Sequence, residues 1–201
     1  MLDRRRMMIA AMMQESPSQY WDIEWTYKNG LFADNGFDVL VIRNASETLL
    51  SSAVQLTAAT KGYVRISVPG ISTCKKGIAE AEFSISGMNT QSNGFRFLLS
   101  NGNYGCQTMV CKPDADVALV YNYGIDTDSA VNIKLRTIDI GETYKLRLDF
   151  DETRGNKMYL NDELLYETDV FSPYYCTGNR LFAQDACTFN MYSLRYKFLE
   201  V

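Results

Sequence analysis

Residues 143–167, TYKLRLDFDETRGNKMYLNDELLYE, leave this chain few architectures to choose from. Tyr144, Leu146, Leu148 and Phe150 alternate with Lys145, Arg147 and Asp149, the period of two that buries one face of a β-strand and wets the other. A polar turn follows at 151–156, and then 157–160 and 163–166 flank Asn161-Asp162. Both residues of that pair tolerate positive φ, which signals a two-residue hairpin. Successive antiparallel strands of this kind argue against a helical or α/β enzyme.

The same alternation recurs at 20–26, 37–43, 53–58, 63–68, 78–86, 94–100, 107–111, 117–122, 131–136 and 188–199. About a dozen short strands with turn signals between them predict an all-β, two-sheet antiparallel sandwich. Only residues 2–14 read as a helix: Met8, Ile9, Met12 and Met13 fall at helical spacing, and Ser16-Pro17-Ser18 ends the run. The expected organisation is therefore an N-terminal helical arm at 1–19 and one sandwich at 20–201.

Composition removes several function classes. The chain has 201 residues and no histidine, which excludes Ser-His-Asp and Cys-His catalysis and histidine-bearing zinc sites. A net charge of −4 without a basic strand gives no footprint for nucleic acid. The cysteines are Cys74, Cys106, Cys111, Cys176 and Cys187, an odd number with no C-x-x-C pair. Burial as small apolar groups is the preferred reading, although Cys176 and Cys187 could close a hairpin. Cys106 and Cys111 differ in parity and should face opposite sides of one strand. The longest apolar run, 7–13, is too short to span a membrane, and Gln14-Glu15 follow it without a small-residue cleavage site.

The motifs YKLRLDFD…NKMYLNDELLYE resemble concanavalin A-like, laminin G-like jelly-roll domains, with Asp162 standing where that family usually carries Gly. YCTGNRLF at 175–182 and FNMYSLRYKF at 189–198 resemble versions of this domain in gut bacteria and their phages. The resemblance covers residues 20–200 and implies that the last strand pairs beside the first. The opening RRRMM, followed by W-D-x-x-W, is similar to structural proteins of gut phages and prophages. It implies an arm of Arg4, Arg5, Arg6, Met8, Ile9, Met12 and Met13 that holds the domain to other virion proteins or to identical subunits.

Three chemistries remain to be weighed. Sugar sites combine aromatic platforms with Asn, Asp and hydroxyl groups. The loops supply Asn101, Asn103 and Tyr104; Asn122, Tyr123 and Asp126; and Tyr174, Tyr175 and Asn179. Each of these also suits a plain turn or a core cap. Calcium, the one candidate cofactor, has hard oxygens at Asp34-Asn35-Gly36 with Asp38 and at Asp126-Thr127-Asp128, though Asx turns are the preferred reading of both. Glycoside hydrolysis needs clustered carboxylates. Asp22 with Glu24 and Asp114 with Asp116 share strand faces, but neither pair has a third carboxylate in pattern. The reading is a non-enzymatic binding module with no catalytic residues, displayed on a virion toward glycans or a host surface. The alternative is a bacterial surface or secreted lectin.

Overall fold

The computed structural model describes residues 21–70, 73–90, 94–100, 105–124, 130–169 and 178–201, with backbone alone at 122–124 and 130–131. These residues form an antiparallel β-sandwich. In chain order the strands are β1 (Ile23–Thr26), β2 (Asp38–Ile42), β3 (Ala45–Leu49), β4 (Val54–Ala58), β5 (Tyr63–Ser67), β6 (Lys76–Met88), β7 (Gly94–Ser100), β8 (Gly105–Cys111), β9 (Ala118–Gly124), β10 (Ala130–Thr137), β11 (Thr143–Asp151), β12 (Gly155–Leu160), β13 (Glu163–Thr168), β14 (Arg180–Gln184) and β15 (Cys187–Glu200). Sheet A runs β13-β12-β11-β6-β15-β4-β3, with β1 also on β15; sheet B runs β10-β9-β8-β7-β14-β5-β2.

The core lies where the alternating apolar residues of the two sheets meet. From sheet A come Ala79, Ala81, Phe83, Leu146, Leu148, Phe189 and Tyr196, and from sheet B come Val64, Ile66, Phe95, Phe97, Leu119 and Leu181, all buried. Phe95 stacks on Phe83 at 4.6 Å between centroids and lies 4.8 Å from Phe189, so one ring of sheet B wedges between two strands of sheet A. Such pairs add about 0.5–1.5 kcal/mol beyond the area they bury. At one edge Arg136 of β10 donates two hydrogen bonds, 2.8 and 2.7 Å, to Glu163 of β13, joining the sheets from outside.

The hairpin between β12 and β13 turns at Asn161 and Asp162, with φ of 51° and 66°, as their tolerance of positive φ predicts. The last strand does return beside the first: β1 pairs antiparallel with β15, Ile23 opposite Tyr196. Two strands, β3 and β14, are not among the segments that alternation picks out. β3 is an exposed edge strand whose polar residues lack a clean period, and β14 shows only Leu181 and Ala183 to the core. Among the described residues the first strand begins at Ile23, and just before it Asp22 donates its amide to the Tyr196 carbonyl at 2.9 Å and accepts the Phe198 amide proton through its side chain at 2.6 Å. The predicted helical arm lies outside the described residues.

Cys74, Cys106, Cys111 and Cys187 are free and buried. Cys106 faces the main core and Cys111 a small cluster with Met109, Ala118 and Val120 on the other side of sheet B, as their parity requires. Burial pushes the thiols of Cys74 and Cys187 up to about 12 and that of Cys111 up to about 11. A thiolate is therefore scarce at pH 8. Ellman's reagent at pH 8 should leave these four thiols unmodified in the folded protein and react with all four in guanidinium chloride. Reaction of Cys187 or Cys74 in the folded state, read by mass spectrometry, would contradict this packing.

Candidate functional site

The outer face of sheet A carries a polar cleft, and it arises from an irregularity in β15. Phe189 and Met191 point into the core, but so do Leu194 and Tyr196, so the inward parity changes between Met191 and Leu194. The pairing with β6 shows why. Met191 is opposite Phe83 and Ser193 is opposite Glu82, which leaves Tyr192 as an extra, unpaired residue in a β-bulge. A bulge lets both halves of a long strand keep their apolar residues inside and re-aims the side chains at the bulge. Tyr192, Ser193 and Arg195 accordingly line one cleft of about 400 Å3 with Glu82 of β6, Tyr27 and Lys28.

A row of matched charges meets that cleft at Arg195. Successive pairings place Glu24 of β1, Arg195 of β15, Glu80 of β6, Arg147 of β11 and Tyr159 of β12 in line across five strands. Arg195 Nε lies 3.0 Å from Glu24 Oε1 and Arg195 Nη1 lies 3.4 Å from Glu80 Oε1. Lys145 Nζ reaches Glu80 Oε2 at 3.5 Å, and Arg147 binds Asp149 at 2.7 Å while its guanidinium carbon stands 5.2 Å from the Tyr159 ring centre. Each cation thus sits beside a carboxylate. The hydrogen bond to Asp149 raises Arg147, and the hydrogen bond to Asp162 raises Lys145, so both stay charged. Beyond the bulge the row becomes neutral: Tyr192 OH is 2.9 Å from Ser84 Oγ, Asn190 donates to Ser84 Oγ at 3.3 Å, and Gln55 donates to Asn190 at 3.1 Å.

The wall of the cleft is held from below. Trp25 is buried, stacks on Phe32 with centroids 3.8 Å apart, and donates its indole N–H to the Gly30 carbonyl at 3.2 Å. The 3-10 turn Tyr27–Asn29 sits above it, closed by Asn29 Oδ1, which accepts from the Thr26 amide at 3.0 Å and the Thr26 hydroxyl at 2.9 Å. Tyr27 and Lys28 are thereby fixed at the rim, and Arg195 Cζ lies 6.0 Å from the Trp21 ring centre. The site therefore offers aromatic faces, fixed donors and fixed acceptors with nearly balanced charge, a combination suited to a neutral polyhydroxylated ligand.

Of the residues that composition singles out, Asn101, Asn103, Tyr104, Asp126, Tyr174 and Tyr175 lie outside the described residues, and at Asn122 and Tyr123 only the β9 backbone is described. Arg4, Arg5, Arg6, Met8, Ile9, Met12 and Met13 lie outside them too. Asn179 is buried, and its side-chain oxygen accepts the Ser100 amide at 3.0 Å, a loop-fixing role. In the Asp34-Asn35-Gly36 turn, Asn35 donates to the carbonyls of Asn29 and Leu31 at 3.0 and 2.7 Å, and Gly36 takes φ of 79°. Among the described residues no three His, Cys, Asp or Glu side chains converge on one point. Asp114 and Asp116 both face Lys134, at 3.3 and 3.7 Å. Tyr27, Glu82, Tyr192 and Arg195 are absent from the sequence-derived set. The change of inward parity within FNMYSLRYKF is the signal that marks Tyr192 and Arg195, whereas Tyr27 and Glu82 join them only through packing and pairing between distant segments.

No protein-family model and no curated protein matches this sequence. Solved structures do match the fold. A sialidase aligns with a TM-score of 0.60 and 12% identity over 88% of this chain and 18% of its own. The carbohydrate recognition domain of Emp47p aligns at 0.55 and 17% identity over 83% of this chain and 90% of its own. The binding domain of botulinum neurotoxin DC, solved with rat synaptotagmin II, aligns at 0.54 and 12% identity over 82% and 44%. The chain therefore spans less than half of the sialidase and toxin chains but nearly all of the recognition domain. No described helix is long and apolar enough to cross a membrane.

Glu80 and Glu82 provide an internal comparison. Glu80 is buried between Arg195 and Lys145, whereas Glu82 is exposed at the cleft. Glu80→Gln should cost about 1–3 kcal/mol in urea unfolding, because it strips the central charge from a partly buried row. Glu82→Gln should stay within about 0.5 kcal/mol of the parent, as surface changes usually do. Equal losses at both positions would contradict the charge row. These likenesses support the two-sheet antiparallel β-sandwich, and the geometry adds a polar, aromatic-rimmed cleft on one sheet.

Proposed function

We propose that this chain is a non-catalytic carbohydrate-binding module that holds its ligand on the outer face of sheet A. The observation that carries the proposal is the bulge at Tyr192, which gathers Tyr192, Ser193 and Arg195 opposite Glu82, Tyr27 and Lys28. Sugar hydroxyls both donate and accept, and the cleft meets them with the Arg195 guanidinium, the Glu82 carboxylate and the hydroxyls of Tyr192 and Ser193. The tyrosine rings supply flat apolar faces for C–H groups. The fold likeness to a carbohydrate recognition domain supports the same reading. A place on a phage virion, with residues 2–13 as the attachment, is supported by the sequence resemblance alone.

A glycan array probed with the full chain should give selective signals, and titration of the strongest oligosaccharide should yield a measurable Kd. Tyr192→Ala should weaken that Kd about tenfold or more, since one stacking ring and its hydroxyl contact are together worth about 1.4 kcal/mol. The melting temperature should stay near that of the parent, because Tyr192 lies outside the core. An array without selective signal, or a Kd unmoved in Tyr192→Ala, would refute the assignment of this cleft.

A further inference from the structure

The charge balance of the sheet A face breaks at one carboxylate. Glu24, Glu80, Asp149, Asp151 and Glu167 each have a lysine or arginine at ion-pair distance. Glu82, exposed in the cleft over the bulge, has no such cation among the described residues. Its carboxylate accepts a long hydrogen bond from the Ser193 hydroxyl, at 3.5 Å. Arg195 lines the same cleft but is held by Glu24 and Glu80, at 3.0 and 3.4 Å. Lys28, also in the lining, makes no ion pair with Glu82.

The register supplies a partner that the hairpin then takes away. Lys145 of β11 is directly opposite Glu82 of β6. Directly opposed Cβ atoms stand about 4.5–5.5 Å apart, well within the reach of a lysine. Lys145 Nζ nevertheless lies 2.9 Å from Asp162 Oδ1 and 3.5 Å from Glu80 Oε2. The β12–β13 turn fixes that choice. Asn161 Oδ1 accepts the Lys145 amide at 2.9 Å, and Asp162, at φ of 66°, accepts from the ammonium. A glycine at 162 would offer no carboxylate. The turn thus leaves an accessible carboxylate unneutralised inside a cleft.

We infer that Glu82, left free because Asp162 holds Lys145, binds a protonated amine, so that the saccharide taken by this cleft is an unacetylated amino sugar. An ammonium brings three donors and a full charge to an acceptor-only group. Such charge-assisted hydrogen bonds are roughly twice as strong as neutral ones, which separates an amine from a hydroxyl at the same ring position. Acetylation removes the charge and would leave Glu82 facing an amide. The rest of the sugar stays neutral and meets Tyr192, Ser193 and Arg195. The inference rests on the carbohydrate-binding reading of the cleft and narrows it to one class of sugar.

The test compares three trisaccharides by calorimetry on the full chain at pH 6: triglucosamine, its N-acetylated form and cellotriose. At that pH sugar amines are protonated and exposed carboxylates ionised. Triglucosamine should bind tenfold or more tighter than either of the others. Glu82→Gln should abolish that preference. Asp162→Gly, which suits the positive φ and releases Lys145 toward Glu82, should reduce it severalfold from outside the cleft. Asp38→Asn, which removes one charge from sheet B, should leave it intact, separating recognition from general attraction to a chain of net charge −4. Equal binding of triglucosamine and its acetylated form would overturn the inference, as would no binding of triglucosamine. So would a preference that survives Glu82→Gln, is untouched by Asp162→Gly, or falls equally in Asp38→Asn. Glycan-array signals lost in Tyr192→Ala would keep the cleft a sugar site in each of those cases, whereas a silent array would sink both readings.

Discussion

The pairing of β6 with β15 is the contact on which the rest of the molecule depends. These are strands of 13 and 14 residues, side by side in the middle of sheet A. Their inward residues, Phe83 and Phe189 among them, receive Phe95 from sheet B. A strand of this length must keep its register or lose its whole core face. The extra residue at Tyr192 reconciles the two halves: Phe189 and Met191 face inward before it, and Leu194 and Tyr196 after it. The same irregularity that saves the core also brings a tyrosine and a serine out beside Arg195. Stability and the cleft have one cause here.

The two outer faces differ in how they handle charge. On sheet A, opposite charges alternate across strands from Glu24 to Arg147, and every cation of the row sits within reach of a carboxylate. Opposite-charge cross-strand pairs contribute about 0.2–1 kcal/mol each. Such a surface is rigid, polar and nearly neutral. On sheet B the row through Phe182 carries arginine on both flanks, with Arg180 on the diagonal.

Much of the sandwich is legible in the chain because burial of one face imposes a period of two, and that period survives in residues such as Tyr144 to Phe150. The hairpin at Asn161-Asp162 is legible because few residue pairs accept positive φ twice. Edge strand β3 is not, because a strand with solvent on its edge needs no strict alternation. The charge row is harder still. Glu24, Glu80, Arg147 and Arg195 each look like an ordinary solvated strand residue, and only pairing between distant segments aligns them. Loop composition pointed instead to residues such as Asn101 and Tyr175, which lie outside the described residues, while the cleft on sheet A is built from strand residues and the 3-10 turn Tyr27–Asn29.

The central claim is one of location: the ligand lies over the bulge of β15. Amide chemical-shift mapping on isotope-labelled full chain, titrated with the best oligosaccharide from an array, tests it most directly. The account predicts that the largest shifts fall at Tyr27, Lys28, Glu82 and 192–195, with the core amides of β7 and β8 unmoved. Shifts confined to the loops at 101–104, 125–129 and 170–177, with the bulge silent, would contradict it.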